Sequence, residues 1–154
     1  HILLMGGGHC AKAIAEACNP LDWKYSVQDS RADYATLDGA TETHHSCPND
    51  FLESETQETL SRFSDILLLG HDWKEDEERL LGLLSKGYSG RLGVIGSKSK
   101  WKAFTSVALE AGISQETLDG VNCPIGLAIG AESPEEIAIA VLAEILAAYK
   151  GVNP

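Results

Sequence analysis

Apolar residues come in short bursts along this chain, and the spacing between them switches between two periods. Ile2-Leu3-Leu4-Met5, Ile66-Leu67-Leu68-Leu69 and Leu92-Gly93-Val94-Ile95 are runs of four with no polar alternation. Such runs are expected of strands in a parallel sheet buried on both faces. Trp23 to Gln28 alternates and reads as a second strand, and Ala40 to His45 as a short third one. Segments of helical period lie between the runs. Lys12 to Cys18 follows Ala11 with Ile14, Ala15 and Cys18 on its apolar face, Phe51 to Phe63 is acidic and amphipathic, and Lys74 to Lys86 carries four acids in its first turns. A further helix runs from Lys98 to a stop at Glu110-Ala111-Gly112, and a short one covers Ser114 to Leu118. Ile137 to Tyr149 has Ile137, Val141, Ile145 and Ala148 on one stripe, and Lys150-Gly151 ends it. Its start combines Ser133 at the N-cap, Pro134 at the first position and Glu136 at the third. Strands alternating with helices predict an α/β fold: Rossmann-like, doubly wound, with a mainly parallel sheet and helices on both faces. No repeat or linker divides residues 1–154, so one domain is expected. The chain starts inside its first strand without an initiator Met, as the ordered part of a longer polypeptide would.

The candidate chemistry gathers where these strands stop, the place at which open α/β sheets bind ligands. The first strand breaks into Gly6-Gly7-Gly8-His9-Cys10-Ala11, a G-x-G-x-x-A pattern between strand and helix. In that context Gly6 permits the tight turn, Gly8 lets backbone approach a phosphate, and Ala11 keeps the helix close to the strand. The helix start offers N–H groups and partial positive charge to an anion. A ligand-free βα turn is the plainer alternative. Asp29 follows the glycines by about 20 residues, the spacing of a ribose-binding carboxylate. Arg31 beside it offers either a contact to a phosphate or a surface pair with Asp29. Gly70-His71-Asp72-Trp73 closes the second apolar run, leaving His71 as a ligand contact or as the cap of the next helix. Gly96-Ser97 then leads into Lys98 and Lys100, which with Arg91 and Lys102 make four of the chain's 12 basic residues. A basic cluster at a helix start suggests an anion there. Cys123-Pro124-Ile125-Gly126-Leu127-Ala128-Ile129-Gly130 reads as a loop that brings backbone close to a ligand or partner.

Composition narrows the classes. A net charge of −11 argues against a nucleic-acid partner. No apolar run approaches the roughly 18 residues of a membrane span, and no secretory leader is visible. The four cysteines occur singly, which fits a reduced, cytoplasmic chain. His44, His45 and Cys47 invite a metal reading, but neighbours on a strand face opposite ways and no further ligand has zinc spacing, so no metal site is expected. Cys10, at a helix start, is open to two readings: a thiol of lowered pKa, or a small packed hydrophobe.

Taken together the segments resemble the C-terminal Rossmann domain of the XdhC/CoxI family, the xanthine dehydrogenase accessory proteins, from Leu3 to Lys150. The resemblance rests on Gly6-Gly7-Gly8-His9, Asp29-Ser30-Arg31, Gly70-His71-Asp72 and Ile95-Gly96-Ser97-Lys98-Ser99-Lys100. It also rests on Pro124-Ile125-Gly126-Leu127, continuing through Ile129-Gly130-Ala131 to Pro134-Glu135-Glu136-Ile137-Ala138. It implies a protein that binds the molybdenum cofactor (molybdopterin) as cargo and protects it while its terminal ligand is sulfurated. Delivery would be to a molybdenum hydroxylase of the xanthine or carbon monoxide dehydrogenase type, with no turnover chemistry of its own. A sulfurtransferase partner and a homo-oligomer are expected with it. In this picture Gly6, Gly8, His9 and Ala11 hold the phosphate, Asp29 and Arg31 flank it, and Gly96, Ser97, Lys98 and Lys100 add charge. His71, Pro124 and Gly126 would then lie near the pterin. The chain departs from the family pattern at Trp73, where a second histidine is common, at Ala128, where a polar residue is common, and at Cys10, where an aliphatic one is usual. The N-terminal cysteine-motif domain of several members has no match here. A rival from the residues alone is an NAD(P)-dependent oxidoreductase using the same turn and Asp29. A third reading is a Rossmann module acting only through partner contacts at residues 124–138.

Overall fold

Five parallel strands form the sheet at the centre of the molecule, in the order β3-β2-β1-β4-β5. They are β1 (Ile2–Met5), β2 (Tyr25–Asp29), β3 (Thr43–His45), β4 (Asp65–Leu68) and β5 (Arg91–Val94). A computed structural model describes all 154 residues. The helices are α1 (His9–Cys18), α2 (Pro48–Glu53), α3 (Gln57–Leu60), α4 (Trp73–Ser85), α5 (Lys98–Glu110), α6 (Gln115–Asp119) and α7 (Pro134–Lys150). The fold is therefore Rossmann-like, as the alternation of apolar runs and helical periods predicts.

The pleat of the sheet sorts the apolar runs onto two faces, because successive strand residues point opposite ways. Ile2, Leu4, Leu67 and Leu69 pack with Ala11, Ile14 and Cys18 of α1 and with Val141, Leu142 and Ile145 of α7. Leu3, Met5, Ile66, Leu68, Leu92 and Val94 pack on the other face with Phe51, Leu80, Leu83 and Phe104 from α2, α4 and α5. Each helical stripe has found one face, and β1 is buried on both.

The single helix expected over Phe51–Phe63 is instead two short ones. The Ser54 hydroxyl donates to the Phe51 carbonyl and ends α2, and Thr56 starts α3 with a capping box to Thr59. Hydroxyl side chains compete for backbone groups within a continuous apolar pattern, and here they interrupt it. Helix α7 begins with the expected Ser133–Glu136 capping box and Pro134, and ends on Gly151 in the left-handed region. No helix is long and apolar enough to cross a membrane.

Candidate cofactor-binding site

All five strands run the same way, so their carboxyl ends share one edge of the sheet. The exits of β1, β4 and β5 are neighbours there. Gly6 turns the chain out of β1 at φ +114°, and a Cβ on it would lie 2.8 Å from the Leu69 carbonyl carbon. Gly7 is confined differently: its Cβ would lie 1.6 Å from the Tyr34 carbonyl oxygen. Gly8 is neither strained nor crowded. Its φ is −78°, open to any residue, and nothing lies within 4 Å of where its Cβ would be. Ala11 is fully buried against the sheet, as expected from its place in the motif.

Gly8 is also the N-cap of α1, and no side chain caps that end. The first bond of the helix runs from the Lys12 N–H to the Gly8 carbonyl, so the N–H groups of His9, Cys10 and Ala11 have no protein partner. The neighbouring helix starts are occupied. Asp72 accepts from the Lys74 N–H at 2.8 Å, and Ser97 accepts from the Lys100 N–H at 3.2 Å. The α1 start carries no acid in its first turn, whereas α4 carries Glu75 and Asp76. Of the starts of α1, α4 and α5, that of α1 alone leaves its dipole free of a side-chain cap and open to an anion.

Asp29 ends β2 with a carboxylate that is fully used. Oδ2 accepts from the Gly7 N–H at 2.8 Å and from Arg31 Nη2 at 3.0 Å. Oδ1 accepts from the Arg31 N–H at 2.9 Å and from Nε at 3.1 Å. Burial pushes its pKa up, but the bonds from Arg31 and Gly7 outweigh that and hold it below the ordinary aspartate range. The lone pairs of Asp29, expected at a ribose, are here engaged by Gly7 and Arg31 and lock the glycine turn. Arg31, whose charge is reinforced by Asp29, keeps Nη1 clear of that pair and lies 3.7 Å over the Tyr34 ring.

The basic cluster also comes apart. Arg91 sits at the start of β5, on the opposite edge, paired with Glu144 at 3.1 Å. Lys100 is buried, with Nζ 2.8 Å from Asp76 Oδ2 and 3.0 Å from the Ile95 carbonyl, so it is spent inside the protein rather than offered to a ligand. Ser97 and Lys98 remain exposed at the start of α5, beside the partly buried Gly96. His71 is exposed past β4, and Asp72, not His71, caps α4. Of the two readings of Cys10 the structure favours the packed thiol: burial, reinforced by Glu135, raises its pKa.

Gly6–Ala11, His71 and Gly96–Lys100 therefore share one edge but not one pocket. A cleft of about 540 Å³ lies on the β2 side of the glycine turn, between Gly7, Gly8, His9 and Lys12 and the segment that includes Tyr34, Leu37 and Asp38. A second, of about 310 Å³ and mostly apolar, lies on the β5 side, where Ile95 faces Pro124, Gly126, Leu127, Gly130 and Ile137. A third concavity, with Trp23, Asp65 and Tyr149, is at the amino ends of the strands, away from these turns. Tyr34, Asp76 and Arg79 are parts of this edge that sequence reasoning missed. Asp76 and Arg79 had a signal, since they share the buried stripe of α4 with Leu80 and Leu83. His44 meets Glu42 at 2.9 Å and packs on Phe51, while His45 and Cys47 are exposed.

Comparison with known proteins gives the same architecture. The family model described as the XdhC Rossmann domain matches residues 2–145. The uncharacterized protein YqeB of Escherichia coli K12 is 28% identical over 145 residues, which is 94% of this chain and 26% of YqeB. A crystal structure described as a xanthine dehydrogenase from Bacillus halodurans superposes with a TM-score of 0.80 at 23% identity, over 99% of this chain and 43% of that one. The NAD(P)-binding domain of an exopolyphosphatase-related protein from Archaeoglobus fulgidus gives 0.57 at 18% identity, over 98% of each chain. The chain thus spans about a quarter of the curated relative it matches.

Proposed function

The chain belongs to the XdhC family of Rossmann domains, and from that membership we propose that it binds the molybdenum cofactor at the carboxyl edge of its sheet. Its role is then that of an accessory domain in the maturation of a molybdenum hydroxylase of the xanthine or carbon monoxide dehydrogenase type. The observation that carries this reading is the uncapped start of α1 beside Gly8, whose missing Cβ leaves open space toward solvent. A phosphate fits the unpaired N–H groups of His9, Cys10 and Ala11. The exposed Lys98 and the part-exposed Arg31, through the Nη1 that Asp29 leaves clear, supply charge on either side. The apolar cleft at Ile95 and Gly126 suits a flat heterocycle, and no His, Cys, Asp or Glu trio stands ready to ligate a metal. The protein would therefore hold the organic part of the cofactor, with its metal chemistry supplied by the cofactor itself. A sulfurtransferase, the receiving hydroxylase and a second copy of this chain are the partners this role calls for, in the cytoplasm.

Titration of the purified protein with molybdenum cofactor tests the proposal. Saturable binding is expected, and Gly8→Val combined with Lys98→Ala should weaken it at least tenfold without unfolding the chain. No saturable binding, or binding untouched by that double change, sinks the reading. The rival, an NAD(P)-dependent oxidoreductase, is favoured by fold likeness alone, and the sealed Asp29 counts against it. Tight retention of NAD(H) in place of the molybdenum cofactor would reverse that order.

A further inference from the structure

Beneath the exits of β4 and β5 lie three charged side chains that touch neither cleft. Asp76 and Arg79 on α4 and Lys100 on α5 are 0%, 1% and 3% exposed. Burying charges costs several kcal/mol per ion unless each is paired and hydrogen-bonded. Here each is paired. Asp76 accepts from Arg79 Nη1 at 2.8 Å through Oδ1 and from Lys100 Nζ at 2.8 Å through Oδ2, and Arg79 Nε donates to Gln28 Oε1 at 3.1 Å.

Two further bonds tie the cluster to the turns. The Gly70 N–H donates to Asp76 Oδ1 at 3.1 Å, and Lys100 Nζ donates to the Ile95 carbonyl at 3.0 Å. The glycines of both turns exist to admit it. A Cβ on Gly70 would lie 2.4 Å from Arg79 Nη1, and one on Gly96 2.5 Å from Lys100 Cδ. The cluster also fails to balance: two cations face one carboxylate, and Gln28 adds no charge. In a chain of net charge −11 this leaves a surplus of one positive charge sealed under the binding edge. A buried charge is screened far less by water and salt than a surface one, so its field reaches the mouth above it.

We propose that Asp76, Arg79 and Lys100 form a positioning cluster that clamps the exits of β4 and β5 and, through its surplus positive charge, makes this edge prefer an anionic ligand to a neutral analogue. The proposal rests on the reading of this edge as a ligand site, and it assigns the charge to residues that never touch the ligand.

The test uses ADP and inorganic pyrophosphate as anionic probes and adenosine as the neutral one, with Lys100→Met removing the surplus charge and Lys100→Arg keeping it. Lys100→Met is expected to weaken ADP and pyrophosphate at least tenfold and adenosine less than twofold, with Lys100→Arg restoring most of the loss. Amide exchange at Gly70 and at Ile95, whose N–H donates to the Leu68 carbonyl, should quicken at least tenfold in Lys100→Met. If Lys100→Met does not fold, Lys100→Gln makes the same change of charge with a polar side chain. Equal loss of ADP and adenosine, or unchanged affinity for both, overturns the charge preference while leaving the site reading intact. A wild-type protein that binds neither anionic probe overturns the site reading and the charge preference with it. Exchange at Gly70 and Ile95 unaltered in the variant overturns the clamp on its own.

Discussion

Removing the Asp29 carboxylate should loosen the glycine turn by an amount the structure allows to be estimated. Asp29→Ala deletes an acceptor of four hydrogen bonds, two per oxygen, in a side chain only 2% exposed. The Gly7 N–H is left buried and unpaired, at a cost of roughly 1–3 kcal/mol. Arg31 loses its partner too, but its side chain is 34% exposed and water replaces much of what it loses. A net destabilisation of about 2–3 kcal/mol follows, read as a fall in the urea midpoint at unchanged slope. Its pH dependence has a definite sign. The folded pKa of Asp29 lies below its unfolded value near 3.8, so its contribution is fully present above that pH and fades as pH falls through the folded value. The gap between wild type and Asp29→Ala should therefore be constant from pH 7 to 5 and close progressively below about pH 4. A loss under about 1 kcal/mol, or a gap that widens as pH falls below about 4, would refute the assignment of Asp29 as the lock of the turn.

Two further tests use the same edge and its surroundings. Gly7→Ala and Gly8→Ala are neighbouring, chemically identical changes with opposite expectations. The first drives a methyl into the Tyr34 carbonyl and should cost at least about 2 kcal/mol. The second points into open space and should stay within about 1 kcal/mol, and equal thermal shifts in the pair would contradict the turn geometry. Away from the edge, Glu42 is held at a pKa of about 2 by its bonds to Arg62 and, after the opposing effect of burial, to His44. Its contribution, about 1 kcal/mol once solvent screening of a partly exposed pair is counted, is complete above pH 4.5 and lost toward pH 2. Glu42→Gln should flatten that part of the acid-unfolding curve.

The fold was legible because the two periods in the chain are unmixed. The runs at residues 2–5, 66–69 and 92–95 are too short for helices and too apolar for exposed strands, which leaves little besides a buried parallel sheet. The strand ends followed at once, and with them the edge at which a ligand belongs. What could not be read was the fate of each polar group at that edge. Asp29, Arg31 and Lys100 stand at the right spacings to meet a ligand, yet spacing along a chain does not say whether a carboxylate or an amine has already been claimed by another element. Lys100 is claimed by Asp76 across 24 residues, a partnership that exists only once α4 and α5 pack side by side on the sheet.

The glycines carry the same lesson further, since the sequence presents them alike and the structure divides their work. Gly6 serves a backbone turn at positive φ, Gly7 the close pass of Tyr34, and Gly70 and Gly96 the buried cluster beneath them. Gly8 serves none of these. Its conformation suits any residue, and no protein atom claims the space beside it. A side-chain cap such as Ser at that position would stabilise an isolated helix start by about 1 kcal/mol. The chain forgoes that stabilisation at α1 while accepting it at α4, α5 and α7. An uncapped, uncrowded helix start beside the capped starts of α4 and α5 is what a site for an external anion requires. The binding reading therefore stands on Gly8 more than on the motif that first drew attention to it.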